Sequence, residues 1–386
     1  MNMNNKSIRD KKILGYRIKE ARIARGYSMQ ELSDSIGVTK QSLSKYENDL
    51  TNVSADIAFR ISNVLDLPIE FFMKERIDKV ERFDEKPIFF RSLRATSKKV
   101  KESLSQNLKF IEEFYEYFSM FIDFPCFDFK ELNENYKIGL TDNEIENIAA
   151  KTREKLGLND GPIANLTRTL EENGIIITRI ELKTHKVDAF SNITSNGIPI
   201  IILGSDKNSA VRSRMDLAHE LGHIVLHSHL SKDIVIKNHN IIEEEAKKFA
   251  SCFLLPYKEF SEDVYSINLD KFIYLKRKWR VSIAGMIVRA HQLNLITDEQ
   301  YTYLFKRISA KKWRTIEPLD DVIELEHPSL LKEAIDLLLD NNVVGLDEII
   351  RDLAFTKKEI ESLCYLEKNY LGEDNENSKM RLRVIK

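Results

Sequence analysis

The chain is most constrained between Arg212 and His227, RSRMDLAHELGHIVLH, where His219-Glu220-Leu221-Gly222-His223 forms an H-E-x-x-H inside an apolar helical run. Residues four apart share a helix face, so His219 and His223 can offer two imidazole nitrogens to one metal ion. Glu220 lies one residue along from His219, off the ligand positions, where it can reach a water activated by that ion and act as general base. Met215, Leu217, Ala218, Leu221, Ile224, Val225 and Leu226 surround these groups. Burying three titratable side chains among them without partners costs on the order of several kcal/mol each. A metal supplies the partners, whereas an idle, solvated histidine face does not suit so apolar a segment.

Hydrolytic zinc sites usually have three protein ligands and one open position. The metzincin extension H-x-x-G-x-x-H is absent, because the chain continues as HIVLHSHLSKD. The next source of a ligand is Glu243-Glu244-Glu245, which opens the helical stretch IIEEEAKKFASCFLLP. On a helical wheel its apolar face is Ile242, Ala246, Phe249, Ala250 and Phe253. Glu244 points away from that face. Glu243 and Glu245 both flank it, and periodicity leaves the two open.

DAFS (Asp188 to Ser191), PIIIL (Pro199 to Leu203), RSRMDLAHELGHIVLH and EEEAKKFASCFLLP (Glu243 to Pro256) together resemble the ImmA/IrrE family of metallo-endopeptidases. The resemblance covers about Lys86 to Pro318 and includes KRKWRVSIAGMIVRAHQLNLITDEQYTYL. It implies a gluzincin-like zinc site, with two histidines from H-E-x-x-H and a glutamate from the following helix. The family's second motif, E-A-N-x-F-A-x-x-L-L-M-P, has its glutamate directly before the alanine, which falls on Glu245. The implied set is therefore His219, His223 and Glu245 as Zn2+ ligands with Glu220 as the catalytic base, Glu243 being the fallback ligand. Lys247 and Leu255 replace the motif's asparagine and methionine, and neither is a proposed ligand.

The first part of the chain has a different character. From Met1 to Tyr46 there are ten Lys or Arg against four Asp or Glu, although the whole chain carries a net charge of only -2. A local excess of this kind suits a polyanionic partner. Short amphipathic helices are predicted at Ile13 to Arg25, Ser28 to Ile36, Thr39 to Asn48, Ser54 to Leu65 and Ile69 to Lys74, with Gly26 and Gly37 at helix ends. Ile36-Gly37-Val38 is a three-residue turn, after which Thr39 can cap the next helix. This is helix-turn-helix geometry, and SMQELSDSIGVTKQSLSKYEN closely resembles the Cro/phage-repressor (XRE-type) DNA-binding family. Leu32, Ile36, Val38, Leu43 and Tyr46 fall at core spacing. Thr39, Lys40, Gln41, Ser44 and Lys45 project from the other side and are the DNA-contact candidates, with Gln41 suited to an adenine edge. Met29 stands where many members of that family carry a glutamine.

With 386 residues and 42% hydrophobic content, the chain can bury a sizeable core in two or three domains. The expected division is a helix-turn-helix domain at 1–75, a linker at 76–90, a zinc peptidase domain at 91–260 and a C-terminal helical region at 261–386. The expected class is α+β, an all-α N-terminal domain followed by a mainly helical zincin-like domain with a small sheet. Strands are predicted at Ile175 to Ile180 and Ile198 to Leu203, and a strand beside the H-E-x-x-H helix would offer an edge to an extended peptide. A long helix is predicted near Ser97 to Phe121, with its aromatic cluster in helix contacts. Capping-box spacing at Thr141 to Glu144 starts another helix to Leu156, and one more is expected at Ile163 to Asn173. His227 is expected to steady a helix end or bind a carboxylate. Arg212 and Arg214 are expected to position the site or form ion pairs. The Lys276, Arg277, Lys278 and Arg280 run reads as a solvated face, and Arg289 on its apolar helix needs a buried partner. Pro328 to Tyr370 reads as two or three helices, and MRLRVI near the end as a strand.

No apolar run approaches the roughly 20 residues that span a bilayer, and MNMNNKSIRDKK lacks the apolar core of a secretory signal. A cytoplasmic protein with no membrane partner is expected. Cys126, Cys252 and Cys364 show no metal or redox spacing. The leading expectation is a transcriptional regulator that binds a double-stranded operator as a homodimer and carries a zinc endopeptidase that cleaves a regulatory protein, a repressor or the chain itself. The alternatives are a non-enzymatic XRE-type factor whose peptidase-like domain senses a ligand or partner, and a component of a toxin-antitoxin or mobile-element module.

Overall fold

In the computed structural model the described residues are 12–76, 89–90, 97–126, 132, 137–182, 187–194, 196–206 and 209–372. Nearly all of the linker expected at 76–90 and the strand expected at MRLRVI lie outside them. The chain forms two compact units, one from residues 1–79, 97–122 and 331–386 and the other from 80–96 and 123–330.

The first unit begins with five helices, α1 (Gly15–Ala24), α2 (Met29–Ile36), α3 (Lys40–Glu47), α4 (Ala55–Leu65) and α5 (Ile69–Met73). Their ends are locally encoded. The Ser28 hydroxyl accepts from Glu31 N while the Glu31 carboxylate accepts from Ser28 N, closing a capping box at the start of α2. Gly37, at φ 70°, ends α2 in the left-handed region, and the Thr39 hydroxyl then accepts from Ser42 N to start α3. The long helix α6 (Lys98–Phe118) packs with these helices. Arg17 on α1 donates from both terminal nitrogens to the Glu113 carboxylate at 2.9 and 2.6 Å, both residues being buried. Phe71, Phe110, Phe114 and Phe355 meet edge to face, with centroids 4.8 to 5.7 Å apart. Phe355 comes from the C-terminal segment, between α17 (Leu346–Leu353) and α18 (Lys357–Leu363), which follow α16 (Leu330–Asp340). The expected boundaries at 91–260 and 261–386 are therefore corrected. Helix α6 and the C-terminal segment group with the helix-turn-helix region because Phe110 and Phe114 of α6 and Phe355, between α17 and α18, pack against Phe71 or one another.

The second unit is built on a four-stranded sheet of order β1-β3-β4-β2, with β1 (Phe89–Phe90), β2 (Ile176–Ile180), β3 (Ala189–Ile193) and β4 (Pro199–Gly204). β2 pairs parallel with β4, and β3 pairs antiparallel with both β4 and β1. The predicted strands at Ile175 to Ile180 and Ile198 to Leu203 are β2 and β4. Helices α7 (Asp142–Lys155), α8 (Leu166–Glu172), α9 (Ala210–His227), α10 (Lys232–Lys237) and α11 (His239–Leu254) follow the chain around it. Beyond them come α12 (Tyr257–Asp263), α13 (Leu269–Trp279), α14 (Ile283–Gln292) and α15 (Asp298–Ala310). Helix α9 lies between the sheet and α11, and the predicted apolar face of α11 (Ile242, Ala246, Phe249, Ala250 and Phe253) is buried. Gly222 allows this approach: a Cβ there would lie 3.2 Å from the Ala246 backbone and 3.0 Å from Phe249.

Three buried cations hold the frame. Arg214 pairs with Glu326 and donates to Ile163 O, the ion-pair role expected of it, while Glu326 also accepts from Thr167 N at 2.9 Å. Arg289 donates to both oxygens of Glu146 and to Leu255 O, which is the buried partner its apolar helix requires. Lys276 corrects the reading of its charge run as a solvated face. It is fully buried and paired with Glu317 at 2.9 Å and Asp320 at 2.5 Å, while Arg277 and Lys278 stay exposed. Position in a charged run did not reveal that its partners lie some forty residues downstream. Among the described residues no helix is long and apolar enough to cross a membrane.

Candidate metal centre and nucleic-acid interface

Helix α9 buries His219, Glu220, His223 and His227. The i, i+4 spacing sets His219 and His223 one above the other, with their Nε2 atoms 3.1 Å apart. Across from them stands Glu243 of α11. Its Oε2 lies 3.3 Å from His219 Nε2 and its Oε1 lies 3.4 Å from His223 Nε2. His219, His223 and Glu243 are the described residues whose ligand atoms come together closely enough to hold a metal ion. Zinc at about 2.0–2.1 Å from its ligands in a tetrahedral site separates them by about 3.3 Å, so the three side chains have the spacing of one tetrahedral face.

The electrostatics agree with that donor set. Burial pushes the His223 imidazole down to about 4, against the opposing effect of Glu243. Burial also raises the Glu243 carboxyl, but the facing His219 and His223 imidazoles outweigh it and hold the group at about 2. At neutral pH the site therefore has a neutral imidazole beside an ionised carboxylate, the protonation a divalent cation needs. Glu243 keeps 19% of its side-chain surface exposed whereas His223 keeps none, so the solvent side of the triangle is the glutamate's.

Glu245, the ligand implied by the family motif, is turned elsewhere. Its Oε2 accepts from His227 Nε2 at 3.0 Å, and its Oε1 accepts from Gly139 N and Leu140 N, both at 2.7 Å. The carboxylate that faces His219 and His223 is that of the fallback, Glu243. Two positions along α11 amount to about 200° of rotation, enough to aim one carboxylate at His219 and His223 and the other at the end of α9. His227 takes the carboxylate-binding role expected of it. His239, one turn before Glu243, brings its Nδ1 to 3.7 Å from the Glu243 carboxylate.

Glu220 is fully buried, and its Oε2 accepts a 2.6 Å hydrogen bond from the Ser191 hydroxyl on β3. Ser191 was not singled out in the sequence, although it ends the DAFS motif. A buried serine in a strand packed against the H-E-x-x-H helix was the available signal. β1 pairs along β3 with Phe89 opposite Ser191, so the edge of β3 beside Glu220 is taken by the chain's own backbone. A cleft of about 640 Å³ lies along α11 and is lined by Glu245, Gly139, Leu140, Lys248 and Met215. His219, His223 and Glu243 are not among its lining residues.

In the first unit, α3 carries the candidate DNA contacts. Thr39, Lys40, Gln41 and Lys45 are exposed and Ser44 is half-buried. Leu32, Ile36 and Leu43 are buried beneath them, with Val38 and Tyr46 half-buried. Thr39 is engaged in capping, its hydroxyl 2.9 Å from the Ser42 hydroxyl, whereas Gln41 and Lys45 extend from the exposed face. Helix α2 presents Gln30 at its second position, exposed and donating to Asp34.

Comparison with known proteins assigns both regions. Residues 18–72 match the helix-turn-helix family, and residues 170–291 match the IrrE N-terminal-like domain of the M78 peptidases. The chain thus carries an XRE-type helix-turn-helix followed by an IrrE-type domain. It is 26% identical over 178 residues to a Methanocaldococcus jannaschii protein named as an HTH-type transcriptional regulatory protein, MJ1164, covering 45% of this chain and 51% of that one. It is 27% identical over 120 residues to the HTH-type transcriptional regulator ImmR of Bacillus subtilis, covering 26% of this chain and 94% of ImmR. The HTH-type transcriptional regulator SinR of Bacillus subtilis is 38% identical over 65 residues, 17% of this chain and 59% of SinR. The chain spans 51%, 23% and 57% of the length of three of the curated relatives it matches.

Proposed function

We propose that the chain is a cytoplasmic, DNA-binding transcriptional regulator whose IrrE-type domain is a zinc-dependent endopeptidase acting on a regulatory protein. The observation that carries this reading is the convergence of His219, His223 and Glu243, with Glu220, the residue after His219, buried and held by Ser191. His219, His223 and Glu243 would hold a zinc ion, which would supply Lewis acidity to the scissile carbonyl and to water. Glu220 accepts the proton of the attacking water and hands it to the leaving amine. The Ser191 hydroxyl donates to one Glu220 oxygen and so fixes the orientation of the carboxylate.

Helix α3 enters the major groove, with Gln41 reading a base edge and Lys40 and Lys45 meeting guanine or phosphate. Thr39 at the N-cap of α3 and Ser44 within the helix add hydroxyl contacts to the backbone. Reading two half-sites calls for a homodimer. The helix-turn-helix thereby delivers the peptidase to proteins bound at or near the same operator.

The test compares cells producing the wild-type chain with cells producing Glu220→Gln, by mapping new protein N-termini across the proteome. A regulatory protein cut only in the wild-type cells supports the reading. Identical N-termini together with unchanged transcription in the variant would transfer support to a second reading, a non-enzymatic regulator whose IrrE-type domain senses a partner. That second reading draws on the relatives, which are named as regulators.

A further inference from the structure

Glu245, turned away from His219 and His223, has partners of its own. Helix α9 carries a third histidine, His227, one further turn along the stripe of His219 and His223, and α11 carries a second glutamate two residues after Glu243. His223 Nδ1 lies 3.2 Å from His227 Nδ1, and His227 Nε2 lies 3.0 Å from Glu245 Oε2. All three residues are buried. The backbone N–H groups of Gly139 and Leu140 hold the other Glu245 oxygen, and Gly139 adopts φ 91° to take the turn there.

The hydrogen bonds have a fixed direction. A carboxylate held by two N–H groups only accepts, so His227 Nε2 carries the proton it shares with Glu245. With that proton on Nε2, the imidazole of His227 turns the lone pair of Nδ1 toward His223. His223 can donate to that lone pair from its own Nδ1, 3.2 Å away, and in that tautomer the lone pair of its Nε2 faces His219 and Glu243. Metal-ligating histidines characteristically donate their second ring N–H to a carboxylate or carbonyl, which fixes the tautomer and raises the basicity of the ligand. Here a second imidazole spans the distance between ligand and carboxylate.

We propose that Glu245 and His227 form a positioning relay that fixes the tautomer of His223 and presents its Nε2 to the metal, so that Glu245 serves the zinc site without touching the ion. The proposal rests on the zinc reading above and deepens it: α9 and α11 are joined twice, once through the ligands and once through the relay, and the relay extends to the 139–140 turn. His227 and Glu245 are positioning residues, not catalytic ones.

Two readouts on the full chain test it. In metal-free protein labelled with 15N at histidine, with signals assigned by single-histidine variants, His223 is expected as the Nδ1–H tautomer and His227 as the Nε2–H tautomer. Zinc affinity is then measured by competition with a chromophoric chelator. His227→Leu and Glu245→Gln are each expected to weaken zinc binding about 10- to 100-fold. His227→Gln, whose amide oxygen can still accept from His223, is expected to recover most of that loss. Retained thermal unfolding of each metal-free variant controls for folding. An Nε2–H tautomer at His223, or zinc affinity within twofold of wild type in folded His227→Leu, overturns the relay while leaving the zinc reading standing. Wild-type protein that shows the expected tautomers yet binds no zinc would overturn the zinc reading and with it the role given to the relay.

Discussion

Helices α3 and α9 use their polar side chains in opposite ways. In α3 the eight residues set Lys40, Gln41 and Lys45 toward solvent, and the apolar side only has to hold the helix in place. In α9 the eighteen residues bury His219, Glu220, His223 and His227, and each is met by a group from β3 or α11. A surface that waits for an external partner can be read from one helix, because exposure and spacing define it. A site whose members satisfy one another cannot, because its geometry lies in how two helices and a strand come together.

The contrast is most strongly tested at Glu220. Glu220→Gln is expected to lower the initial rate on the protein target by about 10²- to 10⁴-fold, the range for a lost general base. Operator affinity measured by fluorescence anisotropy should remain unchanged, and a parallel loss of DNA binding would mean that the two helices do not act separately. On α3 the expected effects are smaller. Gln41→Ala should cost about 1–3 kcal/mol of operator binding and relax base preference at one position. Lys45→Ala should weaken binding on all sequences and lower the salt slope by about 1. Equal losses on specific and random DNA for Gln41→Ala would remove it from base reading.

Gly222→Ala examines the close approach that brings α11 to α9. The new methyl would crowd the Ala246 backbone and Phe249. Overpacking costs about 1–3 kcal/mol, and the gain in helix propensity returns about 1 kcal/mol. Zinc affinity should fall even where the change in thermal stability is slight, because the ligands sit on both helices. The smallest effect is on pH dependence. In metal-free protein His223 and His227 titrate at about 4 when folded, against an ordinary 6.5. The unfolded chain therefore binds more protons between these values, so stability is fully present above pH 6.5 and falls as the pH drops toward 4. Glu243, held at about 2 instead of 4.5, extends the loss to lower pH in the same direction. Chelator-treated protein whose urea midpoint stays flat from pH 7 to 4 would contradict neutral, buried histidines.

The same division decides what was legible in the sequence. The five N-terminal helices follow from local signals, the Ser28–Glu31 capping box, the left-handed Gly37 and the Thr39 cap, and the structure places them within a residue or two of their expected ends. The pairing of His219 with His223 follows from helical spacing alone. The choice between Glu243 and Glu245 does not, since both flank the apolar face of α11 and only the position of His227 separates them. The grouping of α6 with Phe355 and the burial of Lys276 depend on partners far along the chain. β1 and β3 were missed because Phe89–Phe90 is too short for periodicity and Ala189–Ile193 mixes Ser and Asn into its apolar run.

Which carboxylate completes the centre is tested directly by metal analysis of three purified proteins. Wild-type chain should hold one zinc per chain. Glu243→Ala should lose it on dialysis, and Glu245→Ala should keep it with weakened affinity. Zinc retained by Glu243→Ala and lost from Glu245→Ala, or no zinc in the wild type, would contradict the His219, His223 and Glu243 site.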